Sequence, residues 1–211
     1  MCIESWGGIE TVGTGRDLSL WYKTENNKSY NEIICMKNRK RNRMLGYDYS
    51  RNNLYFITIC VEDRICYFGN VGTGRDLSVP VDNIDNSNHT IHKMYLNECG
   101  KIAHKQWEWL ANQYCYVVLH SFVVMPNHVH GVIEINSDLA TDISIKIKSL
   151  SELIGAYKTT TSKQIHLTGN HKFAWQRSFH DHIIRDDSAY ARICNYIETN
   201  PKKWEKDTFF E

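Results

Sequence analysis

Two histidines placed two residues apart are the side chains of this sequence best suited to hold a divalent metal ion. His128 and His130 open a run, residues 128–135, that alternates as a half-buried strand does. Successive side chains of a strand point to opposite faces, so both imidazoles and Glu134 are predicted to share one face. The plain alternative is a pair of ordinary strand histidines. The motif therefore needs partners elsewhere in the chain.

A second candidate group lies near the C-terminus, on a predicted helix. Residues 187–199 keep a helical period, and Asp186 is a suitable N-cap. Tyr196 and Asn200 are four residues apart and hence neighbours on one helical face. Pro201 disfavours helical geometry in the residue before it, so the helix is predicted to stop at Asn200. The alternative is a tyrosine that packs on the core, followed by an Asn-Pro stop.

Four main strands and three helices must position these side chains. The strands are predicted at 54–61, 114–125, 128–135 and 173–184, with a short additional strand at 92–97. The helices are predicted at 98–113, 144–165 and 187–199. This order is typical of an α+β, ferredoxin-like or RRM-like fold. We therefore expect an antiparallel four-stranded sheet with the histidine strand at its centre, helices on one face, and an extra C-terminal helix.

Composition favours one folded domain with additions. The chain has 211 residues, 42% of them hydrophobic, and a formal net charge of +1, so any nucleic-acid binding must come from local patches. No apolar run reaches the roughly 20 residues of a membrane span. The 7 cysteines are odd in number and show no Cys-x-x-Cys spacing, which indicates reduced thiols in a cytoplasmic protein.

Domain organisation is predicted from changes in composition. Residues 1–36 lack a sustained period and are expected to form a loosely ordered extension, and residues 37–211 the folded domain, with a loop insertion at 71–90. The segment 37–43 is dense in positive charge. Such a run is either a solvated tail or a site of phosphate contact.

Taken together, several stretches resemble the single-tyrosine HUH transposases, and more narrowly the REP-associated tyrosine transposases of bacteria. The two that carry most of the resemblance are Pro126-Asn127-His128-Val129-His130-Gly131 and Tyr196-Ile197-Glu198-Thr199-Asn200-Pro201. The remaining matches fall at 46–49, 55–58, 96–100, 157–158, 175–177 and 182–185. The resemblance begins near residue 39 and leaves the N-terminal extension outside.

The resemblance implies an enzyme that uses Mg²⁺ or Mn²⁺ to cleave single-stranded DNA and transfer strands through a 5′-phosphotyrosine. Its DNA would be a palindromic hairpin element, and its role DNA transposition. His128 and His130 would bind the metal, Tyr196 would be the nucleophile, and Asn200 would stand near the third ligand position. The expected DNA contacts are Lys37, Arg39, Lys40, Arg41, Arg43, Lys158, Trp175, Gln176 and Arg177.

The same resemblance implies a bacterial, cytoplasmic protein that associates with the nucleoid. It would act as a monomer or homodimer and would not bind a membrane. A non-catalytic hairpin-binding module is the alternative, because ferredoxin-like sheets also bind DNA or RNA without chemistry. A second His-x-His, at His180 and His182, indicates supporting polar structure or substrate contact. A covalent adduct with single-stranded DNA would separate the enzyme from the binding module.

One octapeptide occurs twice, at residues 12–19 and 71–78. The part Gly-Thr-Gly-Arg-Asp-Leu-Ser can be encoded by a DNA segment that equals its own reverse complement over most of its length. The codons of the first two residues of the octapeptide, Val-Gly, can spell GTAG directly ahead of this palindrome. The resemblance implies recognition of palindromic hairpins flanked by such a tetranucleotide. Our hypothesis is that both copies are translated examples of the DNA element, tolerated in loops. Codons that form no inverted repeat would contradict it.

Overall fold

The computed structural model describes residues 43–73, 92–142 and 144–210. The expected extension 1–36 and the basic residues Lys37, Arg39, Lys40 and Arg41 lie outside this part of the chain, as do residues 74–91. The strands are β1 (Asn53–Cys60), β2 (Gly69–Thr73), β3 (His92–Leu96), β4 (Val117–Val124), β5 (His128–Ile135) and β6 (His180–Ile184). The helices are α1 (Glu98–Gln113), α2 (Leu150–Leu167) and α3 (Asp187–Thr199).

The main sheet has four strands in the order β4-β5-β1-β6, and every neighbouring pair is antiparallel. This confirms the predicted ferredoxin-like connectivity, in which the histidine strand β5 lies inside the sheet. Because β5 is hydrogen-bonded on both sides, its backbone gives its side chains a rigid support. Strands β2 and β3 form a separate two-stranded hairpin.

The two faces of the sheet differ in what covers them. Alternate residues of β5, namely Val129, Ile133 and Ile135, belong to the large core shared with α1 and α2. Gly131 lies on this same face, where a Cβ would come within 2.6 Å of the Trp107 ring, so the close approach of α1 requires glycine. The opposite face carries the two histidines.

Helix α3 covers the histidine face with a much smaller apolar cluster. Its buried members are Val132, Ile184, Ala189 and Ile197. The helix begins at its predicted cap, where the Asp186 carboxylate accepts a hydrogen bond from the Ala189 amide at 2.8 Å. The expectation of an extra C-terminal helix on the sheet is therefore confirmed, and it lies on the face opposite α1 and α2.

Three boundaries differ from the sequence prediction. The sequence predicts the last strand over 173–184, but β6 begins at His180, because the earlier aromatic residues are buried as core packing and Trp175 makes only a single bridge to Val61. Helix α2 begins at Leu150 after a capping box between Ser149 and Glu152. The expected loop insertion at 71–90 begins within β2, since residues 71–73 pair with β3.

None of the helices in the described residues combines the length and apolar character needed to cross a bilayer.

Candidate active site

The imidazoles of His128 and His130 converge at the end of β5 beside α3. Their Nε2 atoms are 3.0 Å apart, and both side chains are buried. This confirms that alternation on β5 brings the two rings to one face. Two ring nitrogens at this separation need a proton or a cation between them, because facing lone pairs repel.

Contacts behind each ring determine which nitrogen faces the centre. Asn127 donates its Nδ2 to the carbonyls of Arg64 at 2.9 Å and Phe209 at 2.8 Å, so its Oδ1 is left to accept from Nδ1 of His128 at 2.8 Å. The Nε2 lone pair of His128 therefore points into the centre. Thr58 Oγ1 lies 2.8 Å from Nδ1 of His130. Outer hydrogen bonds of this kind are typical of metal-binding histidines.

Burial keeps both histidines neutral near pH 7. Loss of solvent, with a further effect of His130, lowers the pKa of His128 well below its usual range. Loss of solvent lowers the pKa of His130 to about 4, against an opposing effect of the Asp207 carboxylate. Neutral imidazole is the form that binds a metal.

Asp207 completes a group of three potential ligands. One ligand atom from each of His128, His130 and Asp207 lies within 4.8 Å of the others, so this cluster can hold a metal ion. Asp207 follows the 3₁₀ segment Asn200–Lys206, which comes after α3 and folds back towards the two histidines. No spacing motif links it to the histidines, and sequence reasoning therefore missed it.

Asn200 supports this carboxylate, donating Nδ2 to Oδ2 of Asp207 at 2.9 Å. Its own Oδ1 is buried and has no hydrogen-bond partner among the described residues. Direct ligation by Asn200 stays a prediction, while its contact with Asp207 gives it a second role.

Tyr196 brings a phenol to the same centre. Its hydroxyl lies 3.2 Å from Nε2 of His130, and 37% of the residue is exposed. Burial and then the Asp207 carboxylate raise the pKa of Tyr196, whereas its hydrogen bond with Asn200 lowers it. Phe56 fixes the approach, with its ring stacked on His130 at 5.5 Å and edge-on to Tyr196 at 6.1 Å.

Comparisons with known proteins support the relationship suggested by the motifs. No protein-family model matches the chain. An uncharacterized protein of Haemophilus influenzae is 30% identical over 186 residues, which cover 82% of this chain and 93% of the relative. A second protein of that bacterium, provisionally named a REP-associated tyrosine transposase, is 23% identical over 162 residues, 74% of each chain.

The second match carries the same family name that the histidine strand and the helical tyrosine of this chain suggest. The chain resembles the REP-associated tyrosine transposases. A solved structure of a REP-associated tyrosine transposase bound to a REP hairpin is also similar, with a TM-score of 0.47, 16% identity, and coverage of 78% of this chain and 74% of that one.

Phe209, in the C-terminal segment, covers the two imidazoles of the centre. The Phe209 ring lies 4.7 Å from the His128 ring and 6.0 Å from the His130 ring. Arg64 lies over Phe209 at 5.4 Å and donates to the Thr208 carbonyl at 3.0 Å. Sequence reasoning missed this closure because aromatic residues near a chain end carry no motif.

Three of the predicted DNA contacts have partners within the fold, and their contact with DNA stays a prediction. The Arg43 guanidinium lies over the Phe179 ring at 4.6 Å and 3.5 Å from the carboxylate of Asp181, whose side chain is 2% exposed. Lys158 donates to the carbonyls of residues 176, 177 and 178, and burial lowers its pKa to about 8. Trp175 is buried in the core.

The other two predicted DNA contacts in the described part of the chain, Gln176 and Arg177, are accessible to solvent at least in part. Arg177 is exposed and Gln176 half-buried, and both line an open groove of about 740 Å³ between α2 and the segment before β6. Their contact with DNA stays a prediction.

Proposed function

We propose that the protein cleaves and rejoins single-stranded DNA at hairpin elements through a covalent 5′-phosphotyrosine on Tyr196, and that it serves DNA transposition. The observation that carries the proposal is the Tyr196 hydroxyl, 3.2 Å from Nε2 of His130 in a cluster that can hold a metal. The name of the REP-associated relative supports the role in transposition, and the family resemblance of the motifs implies DNA hairpins as the substrate.

The side chains fit a divalent metal ion. His128 and His130 are neutral and oriented through Nδ1, Asp207 adds a negative oxygen, and the unpartnered Asn200 Oδ1 is a further donor. Carboxylate and amide oxygens favour Mg²⁺ or Mn²⁺, and imidazole tolerates Mn²⁺. When bound, the ion supplies positive charge that polarises the phosphate and stabilises the phenolate.

The residues of the chain position the reacting groups. Phe56 holds the Tyr196 ring beside His130, and Phe209 limits the access of water to the two imidazoles. The phenolic oxygen forms a bond to phosphorus as the bond to the 3′ oxygen breaks. The phenol loses its proton, and the leaving 3′ oxygen gains one to become a 3′-OH. Because the new ester keeps the energy of the phosphodiester, a second 3′-OH reverses the step without ATP.

A covalent adduct is the direct test of this function. We expect the full chain, incubated with a DNA hairpin that has single-stranded GTAG flanks and with Mn²⁺, to form an adduct that survives denaturation. The fragment 3′ of the cut should be attached to the protein through its 5′ phosphate, and the fragment 5′ of the cut should be released with a free 3′-OH. Chelation of Mn²⁺ should prevent the adduct. Tight hairpin binding without any adduct would instead favour the non-catalytic binding module.

The assignment of Asp207 predicts a ranking of metal affinities. Asp207→Ala should weaken Mn²⁺ binding, measured by calorimetry or by Mn²⁺ electron paramagnetic resonance, more than Asn200→Ala does. The Asn200 substitution should cost about 10–100-fold, the usual effect of removing a group that orients a ligand. The reverse ranking would make Asn200 the ligand and Asp207 its support.

The basic run predicts a salt effect without sequence preference. Replacing Lys37, Arg39, Lys40 and Arg41 by Gln should weaken binding to all hairpins alike and lower the slope of log affinity against log salt, by about 0.7–0.9 for each phosphate that is no longer neutralised. Arg43→Gln is the matched control, because its charge already pairs with Asp181. A changed sequence preference at unchanged slope would mean that the run reads bases.

A further inference from the structure

A second chain of polar contacts joins α3 to the sheet, away from the metal cluster. The Tyr190 hydroxyl lies 3.0 Å from Nδ1 of His120, and Nε2 of His120 lies 2.9 Å from Oε2 of Glu134. His120 is on β4, Glu134 on β5 and Tyr190 on α3. Glu134 therefore contacts His120 and not the candidate ligand histidines. The function predicted from the sequence does not use a contact between His120, Glu134 and Tyr190.

The chemistry of the groups fixes the direction of the hydrogen bonds. A carboxylate only accepts, and Asn136 Nδ2 also donates to Glu134 at 3.3 Å, so Nε2 of His120 carries the proton. In the neutral imidazole, Nδ1 then accepts from the Tyr190 hydroxyl. Burial and then Cys194 raise the pKa of Tyr190, which keeps the phenol protonated and able to donate.

A β-bulge lies directly beside His120. The pairing of β4 with β5 shifts between Leu119 and Phe122, so His120 and Ser121 stand opposite the single residue Val132. Without the extra residue, the later part of β4 would point its side chains to the wrong faces. Bulges commonly redirect a side chain beside a functional site.

The polar contact adds to a small apolar contact between α3 and the sheet. The apolar cluster under the helix is small, as described above, and Tyr190 is a half-buried member of its margin. Tyr190 and Tyr196 lie six residues apart on one helix, or roughly 9 Å along its axis. A rotation or shift at Tyr190 therefore moves the Tyr196 hydroxyl relative to His130.

From this geometry we propose that Tyr190 is a positioning residue: its hydrogen bond through His120 to Glu134 sets the place of α3 on the sheet and so aligns Tyr196 with the metal cluster. The proposal rests on the proposed role of Tyr196 as nucleophile. A misplacement of about 1 Å costs on the order of 10²-fold in rate. Loss of this contact should therefore lower the rate of adduct formation in the DNA-bound protein and leave DNA affinity unchanged.

The test compares two tyrosine hydroxyls in the full chain. Tyr190→Phe should lower the single-turnover rate of adduct formation at saturating hairpin by about 10–100-fold, with the hairpin Kd within about twofold. Tyr47→Phe is the matched control, because its hydroxyl accepts from Asn53 Nδ2 at 2.9 Å in a part-buried setting elsewhere. Both variants should lose a similar amount of thermal stability, about 2–4 °C for one hydrogen bond, but only Tyr190→Phe should lose rate.

Two further variants separate positioning from proton transfer. Glu134→Gln keeps an acceptor for His120 and should retain most of the rate, whereas Glu134→Leu should match Tyr190→Phe. The double variant of Tyr190→Phe with Glu134→Leu should be no slower than either alone, since both break one chain of contacts. A large loss in Glu134→Gln, or additive losses, would overturn the positioning role.

The distance between Tyr196 and the metal cluster can also be measured without any reaction. Broadening of the Tyr196 ring resonances by bound Mn²⁺ falls steeply with distance, and it should weaken in Tyr190→Phe but not in Tyr47→Phe. An adduct rate and a broadening equal to those of the unsubstituted protein would overturn the positioning proposal. Absence of any adduct with the unsubstituted protein would instead overturn the proposed function, while the broadening still reports on the helix.

Discussion

Tyr196→Phe is expected to abolish adduct formation while hairpin affinity stays within about twofold. The substitution removes one hydroxyl, and 37% of the tyrosine is already exposed, so packing on Phe56 is kept. Loss of a catalytic nucleophile typically lowers the rate by on the order of 10⁴-fold or more. Denaturing gels with end-labelled hairpin DNA and Mn²⁺ measure the adduct, and fluorescence anisotropy measures binding.

The control for this substitution is a tyrosine that the metal cluster does not contact. Tyr157 is fully buried, where its hydroxyl donates to the Ala103 carbonyl at 3.1 Å, and Tyr157→Phe should retain the adduct. Peptide mapping of the adduct in the unsubstituted protein should find the nucleotide on Tyr196. A labelled peptide that contains Tyr190 or Tyr157 would show that the nucleophile is misassigned.

The histidine face could be predicted because it depends on local rules. Alternation along β5 places His128 and His130 on one side, and helical spacing and the Asp186 cap determine where α3 begins. The order of strands and helices then leaves few ways to connect them. These features are properties of short segments, so they are visible in the sequence.

The rest of the site depends on contacts between distant segments. Asp207 reaches the histidines only because the 3₁₀ segment after α3 folds back, and Phe209 follows it. The basic character of Arg43 and Lys158 predicts DNA contact, but it could not show that Arg43 pairs with a carboxylate and Lys158 with backbone carbonyls. Charge and residue type are local, whereas the partner of each charge is a tertiary property.

His128→Ala and His130→Ala are each expected to remove detectable cleavage and to weaken Mn²⁺ binding at least about 10–100-fold, since even a group that orients a ligand costs this much. Each substitution takes away one of two nitrogens that lie 3.0 Å apart in a buried setting. Because both imidazoles are neutral, the loss removes a ligand and leaves no unpaired buried charge. Calorimetry with Mn²⁺ and the adduct assay measure the two effects.

The chain contains its own control for the spacing of the two histidines. His180 and His182 are also two residues apart, on β6, and both are exposed and outside the metal cluster found among the described residues. The double variant His180→Ala, His182→Ala should keep the Mn²⁺ affinity. Circular dichroism should show that the His128 and His130 variants remain folded, and His→Gln replacements, which keep more of the volume, repeat the test if they do not. Mn²⁺ affinity unchanged by either the His128 or the His130 substitution would remove the metal from this site, because no other side chains place two neutral nitrogens beside the Tyr196 hydroxyl in the described part of the chain.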